Sequence, residues 1–204
     1  TREIRTSLWD SVEKHMRSDV TVGSFLSGGI DSSIIVAMAR EFNPKLKTLS
    51  VGFERDGYNE INLAEETAEE LKVENFSHTI TAEEFITEFP RFVWHMDDPL
   101  ADPAAMPQFF LSELARKHVK VALSGEGADE LFGGYLYFHK APNAKEFHEE
   151  NVRKLSKLHM YDCLRANKSL AAWGIEGRVP FLDKEFMDVA MRINPQDKMI
   201  NKEH

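Results

Sequence analysis

Two clusters of small and acidic residues carry types and spacings that could do chemistry. The first is Leu26-Ser27-Gly28-Gly29-Ile30-Asp31-Ser32-Ser33. Adjacent glycines let a backbone approach an anion with no Cβ in the way. Ser27, Ser32 and Ser33 can donate hydroxyl hydrogen bonds, and a helix beginning there adds the positive end of its dipole. Asp31 is the informative residue, because a carboxylate beside bound phosphates is repelled unless a Mg2+ ion lies between them. Taken alone, the same residues also fit a tight turn with Asp31 as a helix N-cap. Neither G-x-x-x-x-G-K-[ST] nor G-x-G-x-x-G occurs anywhere in the chain.

The second cluster is Ser124-Gly125-Glu126-Gly127-Ala128-Asp129. Glu126 and Asp129 fit a surface turn that caps a helix. With the first cluster present they are read in preference as part of a nucleotide site, where two carboxylates make sense only if a metal and an amine are present.

The elements that must position these clusters follow from periodicity. Ile4, Leu8, Val12 and Met16 recur at helical spacing. Val20 to Leu26 reads as a strand, and the helix Asp31 to Glu41 follows the glycines, an order that aims backbone N–H groups at a phosphate. Asn43-Pro44 ends that helix; Leu46 to Phe53 is a second strand, Asp56-Gly57 a loop, and Asn59 to Leu71 a helix. Glu74 to Ile80 is a third strand, and Thr81 with Glu84 forms a capping box that opens the next helix. The prolines of Asp97 to Pro103 make a loop, Met106 to His118 is helical, and Lys120 to Leu123 is a short buried strand leading into the second cluster.

This β-α alternation predicts an α/β fold with a doubly wound, mostly parallel sheet, whose strands end at one edge with both loops. After Gly133-Gly134 no further strand is expected. Glu146 to Ala172 and Asp183 to Ile193 read as helices joined by Gly174 to Leu182, giving a sheet core over about 18–134 and helical cover over about 135–204 within one domain.

Composition sets the outer bounds. The 204 residues are 42% hydrophobic, enough for a substantial core, and their net charge of −9 argues against broad binding to nucleic acid. No apolar run of about 18 residues is present and the first residues lack a signal-peptide core, so no membrane is expected and the cytoplasm is the expected location. Cys163, the single cysteine, reads as a buried helix thiol rather than a nucleophile. No pair among the eight histidines has H-E-x-x-H spacing, and Trp9, Trp94 and Trp173 read as core or interface aromatics.

Ser27-Gly28-Gly29-Ile30-Asp31-Ser32 resembles the signature loop of the ATP pyrophosphatases, the adenine nucleotide alpha hydrolase-like group that splits ATP between its α and β phosphates. Ser124 to Tyr135 resembles the second hallmark of the asparagine synthetases, shared in looser form by β-lactam synthetases. Tyr135 to Asn143, Met160 to Asn167 and Gly177 to Asp183 resemble the B type in particular. The resemblance implies amidation of aspartate through β-aspartyl-AMP, with ATP and Mg2+ as cofactors, ammonia as nitrogen donor, and AMP and pyrophosphate released. It places Leu26 and Val51 at adenine and ribose, Ser124 and Gly125 on nucleotide, Asp31 and Asp129 on Mg2+, and Glu126 on aspartate or ammonia. Arg165 and Arg178 are candidates for a bidentate fork on carboxylate or phosphate, or ordinary surface arginines.

The family's glutamine-dependent members carry an N-terminal glutaminase domain that supplies ammonia and a later lysine-bearing loop. Neither is present here, so the chain is expected to be a synthetase-domain fragment cut at both ends. A homodimer is an expectation for the full-length form only. A β-lactam-synthetase-like adenylating enzyme and a nucleotide-binding module without turnover are the alternatives.

Overall fold

The computed structural model describes residues 2–54, 60–98, 100 and 102–199. The loop expected at Asp56-Gly57, the helix start at Asn59, Pro99 and Ala101 of the proline-containing loop, and Asn201 to His204 lie outside the described residues.

Helix α1 (Arg2–Met16) precedes strand β1 (Val22–Phe25), which feeds through the glycine loop into α2 (Ile30–Phe42). The pattern repeats in β2 (Lys47–Phe53), α3 (Ile61–Glu70) and β3 (Glu74–Ile80). Two helices follow without a strand between them, α4 (Ala82–Met96) and α5 (Ala105–Arg116), before β4 (Val121–Leu123) and the five-residue helix α6 (Ala128–Phe132). The remainder holds α7 (Ala144–Lys157), α8 (Asp162–Ala172), β5 (Glu176–Arg178), α9 (Lys184–Ala190) and α10 (Pro195–Lys198).

Among the described residues the strands form one five-stranded sheet in the order β3-β2-β1-β4-β5, every pair parallel. The long pair runs from Lys47 opposite Glu74 to Phe53 opposite Ile80. Helices cover both faces, as double winding requires. On one face Leu8, Val12, Ile35, Val36, Leu131 and Phe186 pack around Val22, Val121 and Leu123. On the other, Phe92, Phe109, Leu170 and Trp173 pack around Phe25, Leu49 and Ala122. The alternation within β4, with Val121 and Leu123 to one side and Ala122 to the other, is the two-residue period of a strand buried on both faces.

The Thr81–Glu84 capping box forms as expected: Thr81 Oγ1 accepts the Glu84 N–H at 3.1 Å, and Glu84 Oε2 accepts the Thr81 N–H at 2.9 Å. Two expectations need correction. Strands do not stop at Gly134, because Glu176-Gly177-Arg178 adds a fifth strand beside β4, with Val121 opposite Glu176 and Leu123 opposite Arg178. Three residues without an apolar side chain give no strand signal; the segment pairs along the edge of β4, and at Gly177 a Cβ would lie 2.5 Å from Leu170 Cδ1 on α8. Nor is Asp31 the N-cap of α2. Gly29 takes that place, and no side chain caps the helix.

Candidate active site

β1 and β4 are central neighbours, with Ser24 opposite Leu123, so the loops leaving them emerge side by side. In the first, Leu26 is held by two bonds to β2: its N–H donates to Leu49 O at 3.0 Å, and its carbonyl accepts from Ser50 Oγ at 2.6 Å. Gly28 then turns with φ +77°, where a Cβ would meet Leu63 Cγ at 2.6 Å, so glycine is required on both conformational and steric grounds. The hydroxyls fold back onto the loop. Ser27 and Ser32 lie 3.1 Å apart, and Ser32 and Ser33 donate to Gly29 O at 3.1 and 2.8 Å. The first-turn N–H groups of α2, which have no carbonyl one turn back, are left for a ligand.

The second loop touches the first. A Cβ on Gly125 would lie 3.3 Å from both Asp31 Cβ and the Ser32 nitrogen, so its backbone lies against the opening turn of α2. Glu126 follows, accepting from Gln108 Nε2 at 3.0 Å and from Ser124 Oγ at 2.9 Å. Left-handed glycines bracket α6, Gly127 at φ +92° and Gly133 at φ +74°. The helix presents Asp129 and Glu130, and its last carbonyls are taken from three directions. Asp129 O accepts from the N–H groups of Gly133 and Gly134, Glu130 O from Asn151 Nδ2 at 2.6 Å, and Leu131 O from Lys198 Nζ at 2.8 Å.

The loops enclose a polar cleft of about 250 Å³. Of the residues singled out in the sequence, Ser27, Asp31, Ser32, Ser124, Gly125, Glu126, Asp129 and Arg165 line it. Gly28, Gly29 and Ser33 shape the first loop. Leu26 and Val51 do not line the cleft: Leu26 is in the core on the α1–α2 side, and Val51 packs against the core of the opposite face. Arg178 is turned away, its Nη1 donating to His15 O at 2.6 Å and Arg17 O at 2.8 Å at the end of α1, and its Nε pairing with Glu176 at 2.7 Å. The guanidinium that reaches the cleft is that of Arg165.

Glu130, Tyr135 and Asp162 also line the cleft and were not singled out in the sequence. Asp162 had a readable signal, since it lies one helical turn before Arg165 and pairs with it at 3.1 Å. Glu130 and Tyr135 fall inside the second motif, but only the fold turns them into the cleft.

The cleft is strongly acidic. Burial raises the Asp31, Glu126, Asp129 and Glu130 carboxyls above their usual range. Neighbouring charge adds to this, Asp129 acting on Asp31 and Asp162 on Asp129; for Glu126, Gln108, Arg165 and Ser124 oppose the burial without overcoming it. Burial, with Glu130 next, also raises the Tyr135 hydroxyl, which stays protonated.

A carboxyl raised in the folded state holds its proton to higher pH than in the unfolded chain. The folded state then binds more protons, and stability falls as pH rises from the ordinary carboxyl value through the raised one. Glu130→Gln removes one such group at nearly constant shape. The wild-type melting temperature, measured relative to this variant, is expected to fall as pH rises from about 4.5, the ordinary glutamate value. The comparison cancels Glu84 and Glu150, which the Thr81 backbone and Arg153 respectively lower. A difference that stays flat or rises with pH would contradict the acidic-cleft assignment.

A model of the asparagine synthase family matches residues 3–147 and 139–204. The chain belongs to the asparagine synthase family. It is 47% identical to asparagine synthetase B [glutamine-hydrolyzing] of Escherichia coli (strain K12), covering 97% of this chain and 38% of that protein. It is 60% identical to asparagine synthetase [glutamine-hydrolyzing] 1 of Bacillus subtilis (strain 168), over 72% of this chain and 23% of that protein. The chain thus spans well under half the length of these asparagine synthase relatives. The fold extends further: the U34-tRNA thiolase NcsA from Methanococcus maripaludis superposes with a TM-score of 0.51 at 14% identity, over 98% of this chain and 65% of that one.

Proposed function

We propose that this chain carries the ATP-consuming half-site of an asparagine synthetase, activating the β-carboxylate of aspartate as its adenylate and passing the acyl group to ammonia. The observation that carries the reading is the contact between Gly125 and the first turn of α2, which joins the phosphate loop to the loop bearing Glu126 and Asp129. An aspartate oxygen attacks the α-phosphorus, pyrophosphate leaves, and ammonia then displaces AMP with loss of a proton.

The chain's own residues contribute positioning and charge. The N–H groups opening α2 are available to the departing pyrophosphate, and Ser27 and Ser32 line the cleft beside them. Asp31 and Asp129 suit Mg2+, which takes one or two carboxylates and completes its shell with phosphate oxygens and water. When bound, the cation neutralises the phosphates beside carboxylates that otherwise repel them. Glu126, Glu130 and Asp162 form the acidic side, suited to the α-ammonium of aspartate and to incoming ammonia, and Glu126 is the group placed to hold the proton lost there.

Ammonia supply by a glutaminase domain belongs to the same proposal, supported by the glutamine-hydrolyzing relatives; a homodimer of the full-length form and a cytoplasmic location are proposed with it. The net charge of −9 argues against nucleic acid as a partner. Among the described residues no helix is long and apolar enough to cross a membrane. The complete gene product, given aspartate, ammonia, ATP and Mg2+, is expected to release AMP and pyrophosphate in step with asparagine. ADP and phosphate as products would overturn the assignment.

A further inference from the structure

Asp102 lies outside both loops, just ahead of α5, and its two oxygens do different things. Oδ1 accepts the Ala104 N–H at 2.9 Å, which fixes the side chain to the turn opening α5. Oδ2 accepts from Arg165 Nη1 at 2.7 Å, across 63 residues of sequence. Arg165 is only 9% exposed. Its Nη2 lies 3.1 Å from Asp162 and 3.6 Å from Glu126, and its buried Nε has no hydrogen-bond partner.

Three carboxylates therefore compete for one guanidinium. Asp162 shares a helix with Arg165, Glu126 belongs to the cleft, and Asp102 is anchored to a backbone turn ahead of α5. At 3.6 Å the Arg165–Glu126 pair is beyond hydrogen-bond range, and Glu126 is instead held by the neutral donors Gln108 and Ser124.

We propose that Asp102 is a positioning residue: by drawing Arg165 toward α5 it keeps the guanidinium off Glu126, leaving that carboxylate available to the amine of the substrate. This rests on reading the chain as an amide-forming adenylating enzyme. When Asp102 loses its charge, Nη1 is left without its acceptor in a nearly buried place. No longer tethered through Nη1, the guanidinium can close the 3.6 Å gap between its Nη2 and Glu126, and that charge-assisted pair draws it there. Glu126 is then engaged by a strong donor, while the phosphate loop, Ser124 and Gly125 keep their places. The effect falls on turnover and spares ATP binding.

The test uses the complete gene product and the substitutions Asp102→Asn and Asp102→Glu. Asp102→Asn can still accept the Ala104 N–H but offers Arg165 an uncharged group. Its kcat for amide formation is expected to fall about 100-fold, the scale of a misplaced catalytic group, with KM for ATP within about twofold. Asp102→Glu, which restores the charge on a longer stem, is expected to recover roughly tenfold of that loss. A second measurement does not need turnover: Asp102→Asn should lower the melting temperature when Arg165 is present and not when it is Met. A kcat within about twofold of wild type, a KM for ATP that rises as much as kcat falls, or equal melting shifts in both backgrounds would overturn the proposal. Wild-type protein that releases no pyrophosphate with aspartate overturns the assigned reaction instead, and the melting shifts then decide the Asp102–Arg165 pairing alone.

Discussion

Glu126→Gln is expected to slow amide formation by roughly 10²- to 10³-fold while KM for ATP stays within about twofold of wild type. The substitution is nearly isosteric. A glutamine carbonyl can still accept from Gln108 Nε2, and its amide can donate to Ser124 Oγ, whose hydroxyl turns to accept. What disappears is a buried negative charge beside Arg165 and the capacity to take a proton from the attacking amine. Because Glu126 sits with the carboxylates rather than on the glycine loop, nucleotide binding is expected to be spared. Pyrophosphate release without ammonia should fall less than asparagine formation, since adenylation precedes the amine's attack. A variant with wild-type turnover would remove Glu126 from the reaction.

Gly125→Val has the next largest effect, on binding rather than turnover. A bare Cβ already lies 3.3 Å from Asp31 Cβ and the Ser32 nitrogen, and two methyl groups beyond it cannot be accommodated without moving the first turn of α2. Overpacking of this kind costs about 1–3 kcal/mol. The turn that must move carries the uncapped first-turn N–H groups of α2 and Asp31, proposed above to meet the nucleotide, so ATP affinity is expected to weaken about 10- to 100-fold. Calorimetric titration with Mg2+–ATP measures it, and Gly125→Ala should lie between Val and wild type. Unchanged affinity would show that the two loops do not share a ligand.

The sequence was most legible where a residue acts through its neighbours. The Glu74–Ile80 strand and the Thr81–Glu84 box were readable because period-two alternation and capping are local signals. The pairing of β1 with β4 was readable only as a rule about where strands end, and the Gly125 contact gives it content. β5 was not legible: Glu-Gly-Arg becomes a strand because β4 offers an edge, a fact held elsewhere in the chain. Arg165 and Arg178 looked alike as sequence. Burial among carboxylates sends one into the cleft, and the open carbonyls at the end of α1 hold the other away. Asp102, 63 residues from its partner, lies beyond any spacing argument.

The three-way capping of α6 bears on how the protein is made. Asp129 and Glu130 are oriented by a helix of five residues, too short to hold itself, whose carbonyls depend on Gly133 and Gly134, Asn151 and finally Lys198. A nascent chain therefore displays its glycine loop long before the opposing wall can set. A chain shortened before Lys198 lacks the last of these donors, and the turn that carries Asp129 and Glu130 is expected to be looser in it.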